Sequence, residues 1–276
     1  MAKAITDFSK LCVHSITTKP WPIEKSAREF SDAGITGITV WRDALTGRNI
    51  TATGKMLKDL NLEVVSLCRG GFFPSVNIVD RQKAIEDNLK AIDEAFELGA
   101  PMVVLVCGAT PGQPLSESRK QIQEGIVACL AHAEAAKVKL AIEPLHPMYA
   151  GDRSAINTLE QANDMAEAIQ SPWVGIALDV YHLWWDPNLE TQIKRCGQND
   201  HLTAFHICDW KSPTLDMLND RGLMGEGCIN IKQIRGWVEK AGFTGFYEVE
   251  IFSTAYWKED QGEFLKKIKH AYLKYS

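Results

Sequence analysis

Residues 174–182 read VGIALDVYH. The run is apolar at odd and even positions alike until it ends in Asp179. A strand of this kind has no solvent face, so it belongs in a parallel sheet covered by helices. The design recurs in both directions. MVVLVC at 102–107 is as uniformly apolar, and the candidate strands are Leu11–Ile16, Gly37–Val40, Leu62–Leu67, Met102–Cys107, Lys139–Glu143, Val174–Asp179, Thr203–Cys208 and Phe246–Ile251. Amphipathic stretches separate them. The most regular, 80–98, puts Ile85, Leu89, Ile92 and Phe96 on one stripe, with Asp80 placed to cap it. Asn157 followed by Glu160 resembles a capping box, and Gly99 and Gly242 stand where helices should stop. Eight strand–helix units in 276 residues predict an α/β fold, a single (β/α)8 TIM barrel with residues 1–276 as one domain. The alternative, a doubly wound open sheet, wants a glycine-rich phosphate loop after an early strand, and Arg69-Gly-Gly-Phe does not fit that pattern.

Composition removes other classes. At 45% hydrophobic and 24% charged the chain is neither disordered nor collagenous. A net charge of −5 without a basic run argues against nucleic acid as a partner. No apolar stretch reaches the roughly 18 residues of a membrane span, and MAKAITDFSK lacks the apolar core of a signal peptide. Seven cysteines, never paired as C-x-x-C, read as free thiols in a reducing, cytoplasmic setting.

In a barrel the active site forms at the C-terminal ends of the strands. Strand five ends in AIEP with Glu143, strand six in ALDVYH with Asp179 and His182, strand seven in AFHICD with His206 and Asp209, and strand eight in YEVEIF with Glu248 and Glu250. Ionisable groups closing four successive apolar strands are costly unless paired or coordinated. Glu143, Asp179, His206 and Glu250 form an oxygen-rich set suited to a divalent cation such as Mn²⁺, Mg²⁺ or Co²⁺. Two residues before the first three stand Ala141, Ala177 and Ala204, which would leave room beneath the site. Glu248 would either project into that room, with water or another partner, or face the helices or tune the metal site. His14, on strand one, reads as a barrel-interior histidine.

These pieces carry a resemblance. AIEPLHP, Asn157-Thr158, ALDVYH, AFHICD, Gly225–Gly227 and GFTGFYEVE, in that order, resemble the xylose isomerase-like TIM-barrel superfamily of sugar isomerases and epimerases. The resemblance implies one divalent metal, Mn²⁺ first, held by Glu143, Asp179, His206 and Glu250. It also implies that Glu143 and Glu250 are an acid/base pair, one removing and the other returning a proton beside a carbonyl through a metal-stabilised enediolate. His182 matches a substrate-contacting histidine. Asp209 would orient His206 or touch the metal through water, or else be a turn acid. Glu226, in the GEG, would support the site from behind. His146, three residues after Glu143, is a further acid/base or a polar loop histidine. Trp21, Trp41 and Trp210 are candidate pocket walls that can stack on a sugar. Arg42 and Arg221 could hold a hydroxyl or carboxylate, or be surface charges.

The expected partner is therefore a small carbohydrate. Homo-oligomers are common in such families. One departure stands out: tagatose- and psicose-type epimerases usually carry an arginine shortly after the strand-seven histidine, where this chain has Lys211 and Ser212. The same superfamily includes lyases that split 3-oxo-glycosides by the same first step, working with a small partner subunit, and His146 is in keeping with that branch. Endonuclease IV-type repair enzymes share the barrel but need several zinc ions, more histidines than the seven here and a basic groove. A catalytically inert binding protein would not need four intact ligand positions.

Overall fold

The computed structural model describes residues 3–276; residues 1 and 2 lie outside the described part. Strands and helices alternate as β1 (Leu11–His14), α1 (Ile23–Asp32), β2 (Gly37–Trp41), α2 (Ile50–Asp59), β3 (Glu63–Gly71), α3 (Ile78–Leu98), β4 (Met102–Val106), α4 (Leu115–Ala136), β5 (Lys139–Glu143), α5 (Leu159–Ile169) and β6 (Val174–Asp179). There follow α6 (Val180–Leu183), α7 (Leu189–Gln198), β7 (Leu202–Ile207), β8 (Asp209–Trp210), β9 (Arg221–Gly222), α8 (Ile231–Lys240), β10 (Tyr247–Val249) and α9 (Gln261–Tyr275). Eight parallel strands close in the order β1-β10-β7-β6-β5-β4-β3-β2, and β8 and β9 form a separate antiparallel ribbon. This is the expected (β/α)8 barrel.

Two apolar layers hold it. The larger packs the outward faces of the strands against the helices, with residues such as Leu105, Ile142, Leu178 and Phe205 fully buried. The smaller fills the barrel interior with Cys68, Met102, Val104, Ala141, Ala177 and Ala204, and Trp41 packs against it. The three alanines predicted beneath the site are therefore there, and they leave volume that the polar layer above can enter.

The boundaries differ in instructive places. β1 and β10 stop at His14 and Val249, so Ile16, Glu250 and Ile251 lie just past the ladders. β3 runs on to Gly71, held by Asn88 of α3. The Asn88 Nδ2 donates to Gly71 O (2.8 Å), and Gly71 N donates back to Asn88 Oδ1 (2.7 Å). Helix α3 begins at Ile78 under an Asn77 cap rather than an Asp80 cap. Its buried face is Asn88, Ala91, Ile92, Ala95 and Leu98; Phe96 is 64% exposed, because the small Ala91 and Ala95 face the barrel and turn it outward. Before α5 the capping box is displaced by one residue: Thr158 accepts from Gln161 N, and the Gln161 side chain accepts from Asn157 N.

Gly71 is the position where the backbone itself decides. Its φ is +104°, and an added Cβ would stand 2.0 Å from Val106 O, which already accepts from Phe72 N. We expect Gly71→Ala to cost about 2–3 kcal/mol, read as a lower urea midpoint.

Candidate active site

The strand ends deliver the acids to one place. Glu143 closes β5, Asp179 closes β6, His206 is the penultimate residue of β7, and Glu250 follows β10 directly. All four are buried. One donor atom from each falls within 4.8 Å of the other three. The contacts among them are close: His206 Nδ1 is 3.1 Å from Glu143 Oε1. Asp179 Oδ1 caps α6 by accepting from Tyr181 N (2.8 Å), which fixes the carboxylate and leaves Oδ2 toward the centre.

Positive charge comes from two sides. Arg221, the first residue of β9, donates through Nη1 to Asp179 Oδ2 (2.9 Å) and Glu250 Oε2 (2.7 Å). It lies flat on the Tyr181 ring, 4.3 Å from its centroid. From below, His14 bridges two acids, with Nδ1 3.1 Å from Glu250 Oε1 and Nε2 3.1 Å from Glu248 Oε2. Glu248 also accepts from Thr39 Oγ1 at 2.6 Å. Glu248 thus projects into the room above the alanines and does not face the helices.

The electrostatics follow from these contacts. Burial would lower the pKa of His14, but the Glu250 and Glu248 carboxylates outweigh it and raise it to about 9. His206 goes the same way, to about 10, against its own burial, through Glu248 and Glu143. Burial would raise Glu250, yet Arg221 and His14 hold it well below the usual carboxylate range. Asp179 behaves oppositely: burial dominates over Arg221 and lifts it to about 7. His182 is kept neutral, first by burial and then by Arg221, whose Nη2 lies 3.3 Å from its Nε2.

The donor set fits a hard or borderline divalent cation. Three carboxylates and one imidazole converge at one point, with no cysteine in that set of four. His206 Nε2, on the far side of the ring, is buried with no hydrogen-bond partner among the described residues and faces Glu248 at 3.8 Å. A carboxylate behind a ligating histidine is the usual means of fixing its ring and tautomer.

Comparison with known proteins bears on the fold and the family. The family model for the xylose isomerase-like TIM barrel matches residues 27–268. The chain belongs to this family. Protein SMc04130 from Sinorhizobium meliloti 1021 is 46% identical in sequence; its crystal structure superposes with a TM-score of 0.93, covering 96% of this chain and 98% of that one. An inosose isomerase of Bacillus velezensis is 28% identical over 203 residues, 72% of this chain and 70% of its own length. The IOLI protein, crystallised with a zinc atom, shares the fold at 21% identity and a TM-score of 0.83, covering 95% and 96% of the two chains.

Against this family barrel the remaining sequence candidates fall into place. Arg221 and His182 join the cluster. Trp41 stands at its edge, its Nε1 3.4 Å from His14 Nδ1 and its ring 5.1 Å from Phe252. Trp210 and His146 stack 5.0 Å apart in an aromatic wall with Trp184, Trp185 and Tyr181. His146 makes no hydrogen bond to the carboxylates; its Nδ1 accepts from Met148 N, capping a short turn, and burial lowers its pKa. Trp21 lines a separate cleft of about 380 Å³ beside the mouth.

One expectation needs correcting, that for Glu226, and two open alternatives are decided. Asp209 is the turn acid: Oδ1 accepts from Trp210 N and Ile229 N, and Oδ2 from Gly225 N, so it orders the 225–229 loop and does not touch His206. Glu226 does not support the site from behind. It is exposed, accepting from Tyr256 Oη (2.6 Å) and Leu223 N. Arg42 is spent on Asp87 and Glu94 of α3. We expect Asp209→Ala to cost about 2–3 kcal/mol, since a buried carboxyl group accepts from three backbone donors, while metal stoichiometry stays unchanged. A loss of metal in that variant would restore the orienting role.

Sequence reading missed one feature: His14 reaches Glu250 directly, and the only signal was a histidine on an apolar strand. It leaves Arg221, 15 residues past His206, as either a substrate contact or a surface charge, because the long loop between β8 and β9 sets the approach.

Proposed function

We propose that the chain is a divalent-metal-dependent isomerase or epimerase of a small keto sugar or keto polyol. Glu143, Asp179, His206 and Glu250 would hold the metal, Mn²⁺ first. The bound ion would polarise a carbonyl and stabilise the negative charge that develops on its oxygen. The observation that carries the reading is the convergence of two glutamates, three strands apart around the barrel, on one buried point.

The chain's own residues supply the proton chemistry. One of the two glutamates takes the proton from the carbon beside the carbonyl, and the electron pair of that C–H bond moves into the carbonyl as an enediolate. The other returns a proton to the same or the adjacent carbon. Arg221 and neutral His182 lie beside Glu250 and Asp179, where they can fix substrate hydroxyls. The Trp41 and Trp210 walls exclude water and offer rings to the C–H faces of a sugar. The inosose isomerase relative supports a cyclic keto polyol as the first compound to try.

The test is elemental mass spectrometry of purified protein beside His206→Ala. About one divalent ion per chain, lost in the variant, is the expected result. Protein that takes up no ion after incubation with Mn²⁺, Zn²⁺ or Co²⁺ contradicts the reading. If a glycoside is turned over with release of its aglycone, the same proton abstraction belongs to a lyase.

A further inference from the structure

Beside the metal cluster, a cavity of about 480 Å³ opens between the ends of β2 and β3. Cys68 and Trp41 form its inner wall, and both belong to the site: Cys68 offers its sulfur within 4.8 Å of donor atoms on His14 and Glu250, and Trp41 touches His14. Its outer wall is Arg69, Phe72 and the Arg42–Asp87 pair.

Among the half-buried and buried arginines, Arg69 and Arg153 alone have neither an acid partner nor a side-chain hydrogen bond among the described residues; Arg81 and Arg119 donate to backbone carbonyls. Arg42, Arg48, Arg195, Arg221 and Arg235 each bind an acid. Arg69 has no acid partner and no hydrogen bond among the described residues; it rests on the Phe72 ring, 4.3 Å from the centroid. The two acids on the cavity wall leave it free. Asp87 accepts both Nη groups of Arg42, at 2.8 and 2.9 Å, and Asp43 is exposed.

A second guanidinium comes from the loop after β5, two strands further round. Phe72 N bonds Val106 O at the end of β4, and Gly108 N bonds Arg153 O, so the chain places Arg153 beside the same rim. Arg153 also lacks an acid and lies over Tyr149, 5.6 Å from the ring centroid. The pKa of Arg69 is lowered, first by burial and then by repulsion from Arg153. An anion between them would relieve both costs.

We infer that Arg69, with Arg153, forms an anion subsite at the mouth of the barrel, and that the physiological substrate is a keto sugar carrying a carboxylate or phosphate. This deepens the proposed reading by assigning the charge of its substrate. The planar fork of one guanidinium matches a carboxylate in two-point contact, and a second cation would complete a phosphate site.

The experiment is calorimetric titration of manganese-loaded protein with D-glucuronate, D-glucose 6-phosphate and neutral D-glucose. An anionic probe is expected to bind about 10- to 100-fold more tightly than glucose, the worth of a hydrogen bond to a charged group. Arg69→Gln should bring that ratio close to one, and Arg153→Gln should reduce it, which guards against a folding defect in the β3 variant. Arg69→Lys should restore part of it. The stronger of the two anions identifies the group. Equal binding of acid and neutral probes, no saturable binding of either anion, or a ratio unchanged in both glutamine variants would overturn the subsite. Because binding is read rather than turnover, these outcomes separate from failure of the isomerase reading: a protein that holds metal and exchanges substrate protons, yet shows no anion preference, contradicts the subsite alone.

Discussion

Glu250→Gln is expected to lower turnover by about 10³-fold or more while the protein remains folded. The amide keeps the shape of the side chain and one oxygen that can still accept from Arg221, now at 2.7 Å from Oε2. It cannot accept a proton from carbon. It also removes the negative charge that holds His14 as a cation, so the two nitrogens of His14 no longer both face carboxylates. Metal affinity should fall as well, since one of four donors becomes neutral. Near-normal thermal unfolding together with lost activity separates this from collapse of the site. Full activity in Glu250→Gln would remove the residue from the chemistry.

The second large effect is on stability and is largest without metal. In chelator-treated protein, unfolding free energy should fall by about 3 kcal/mol or more between pH 7 and pH 9. The sign follows from the two buried histidines. His14 moves from 6.5 to about 9 and His206 from 6.5 to about 10 on folding. A raised histidine stabilises the fold fully below its unfolded value and loses that contribution as pH climbs through the folded one. Asp179 works the other way, but its cost is complete near pH 7, where it titrates in the fold. Glu250 and Glu248 are held low, so they add no change above neutrality. Metal-loaded protein should show a smaller fall, because a ligating His206 is already neutral and binding strengthens as its proton leaves, while His14 still gives up its own. Urea midpoints at the two pH values, with and without metal, check this. A flat profile for the metal-free protein would mean that neither histidine is held as a cation.

The fold was legible because burial on two faces leaves an unambiguous mark on a strand. VGIALD and MVVLV could not be solvent-facing, and their spacing required helices between them. Three of the four candidate donors were legible for the same reason: Glu143, Asp179 and His206 each end or nearly end an apolar ladder, and Glu250 follows β10 directly. What stayed hidden depended on where loops return. Arg221 and Glu226 are five residues apart, and nothing local says that the first plunges into the site while the second turns to solvent and Tyr256. Asp209, three residues after His206, looked like its partner, but the ribbon that begins there turns its carboxylate to the 225–229 backbone. Phe96 failed for a packing reason, since alanines set how closely α3 approaches the barrel. Helices, strands and donor positions are properties of short segments, whereas the pairing of His14 with Glu250 joins residues 236 apart along the chain.

The central claim is that Glu143 and Glu250, around one divalent metal, move a proton beside a carbonyl. Incubating the manganese-loaded protein with an inosose in deuterated water, and following deuterium at the carbons next to the ketone by NMR, tests it most directly. The account predicts incorporation at one such carbon, faster than the uncatalysed rate and absent in Glu250→Gln. No incorporation above background into an inosose or any other keto sugar, by protein shown to carry its metal, would contradict it.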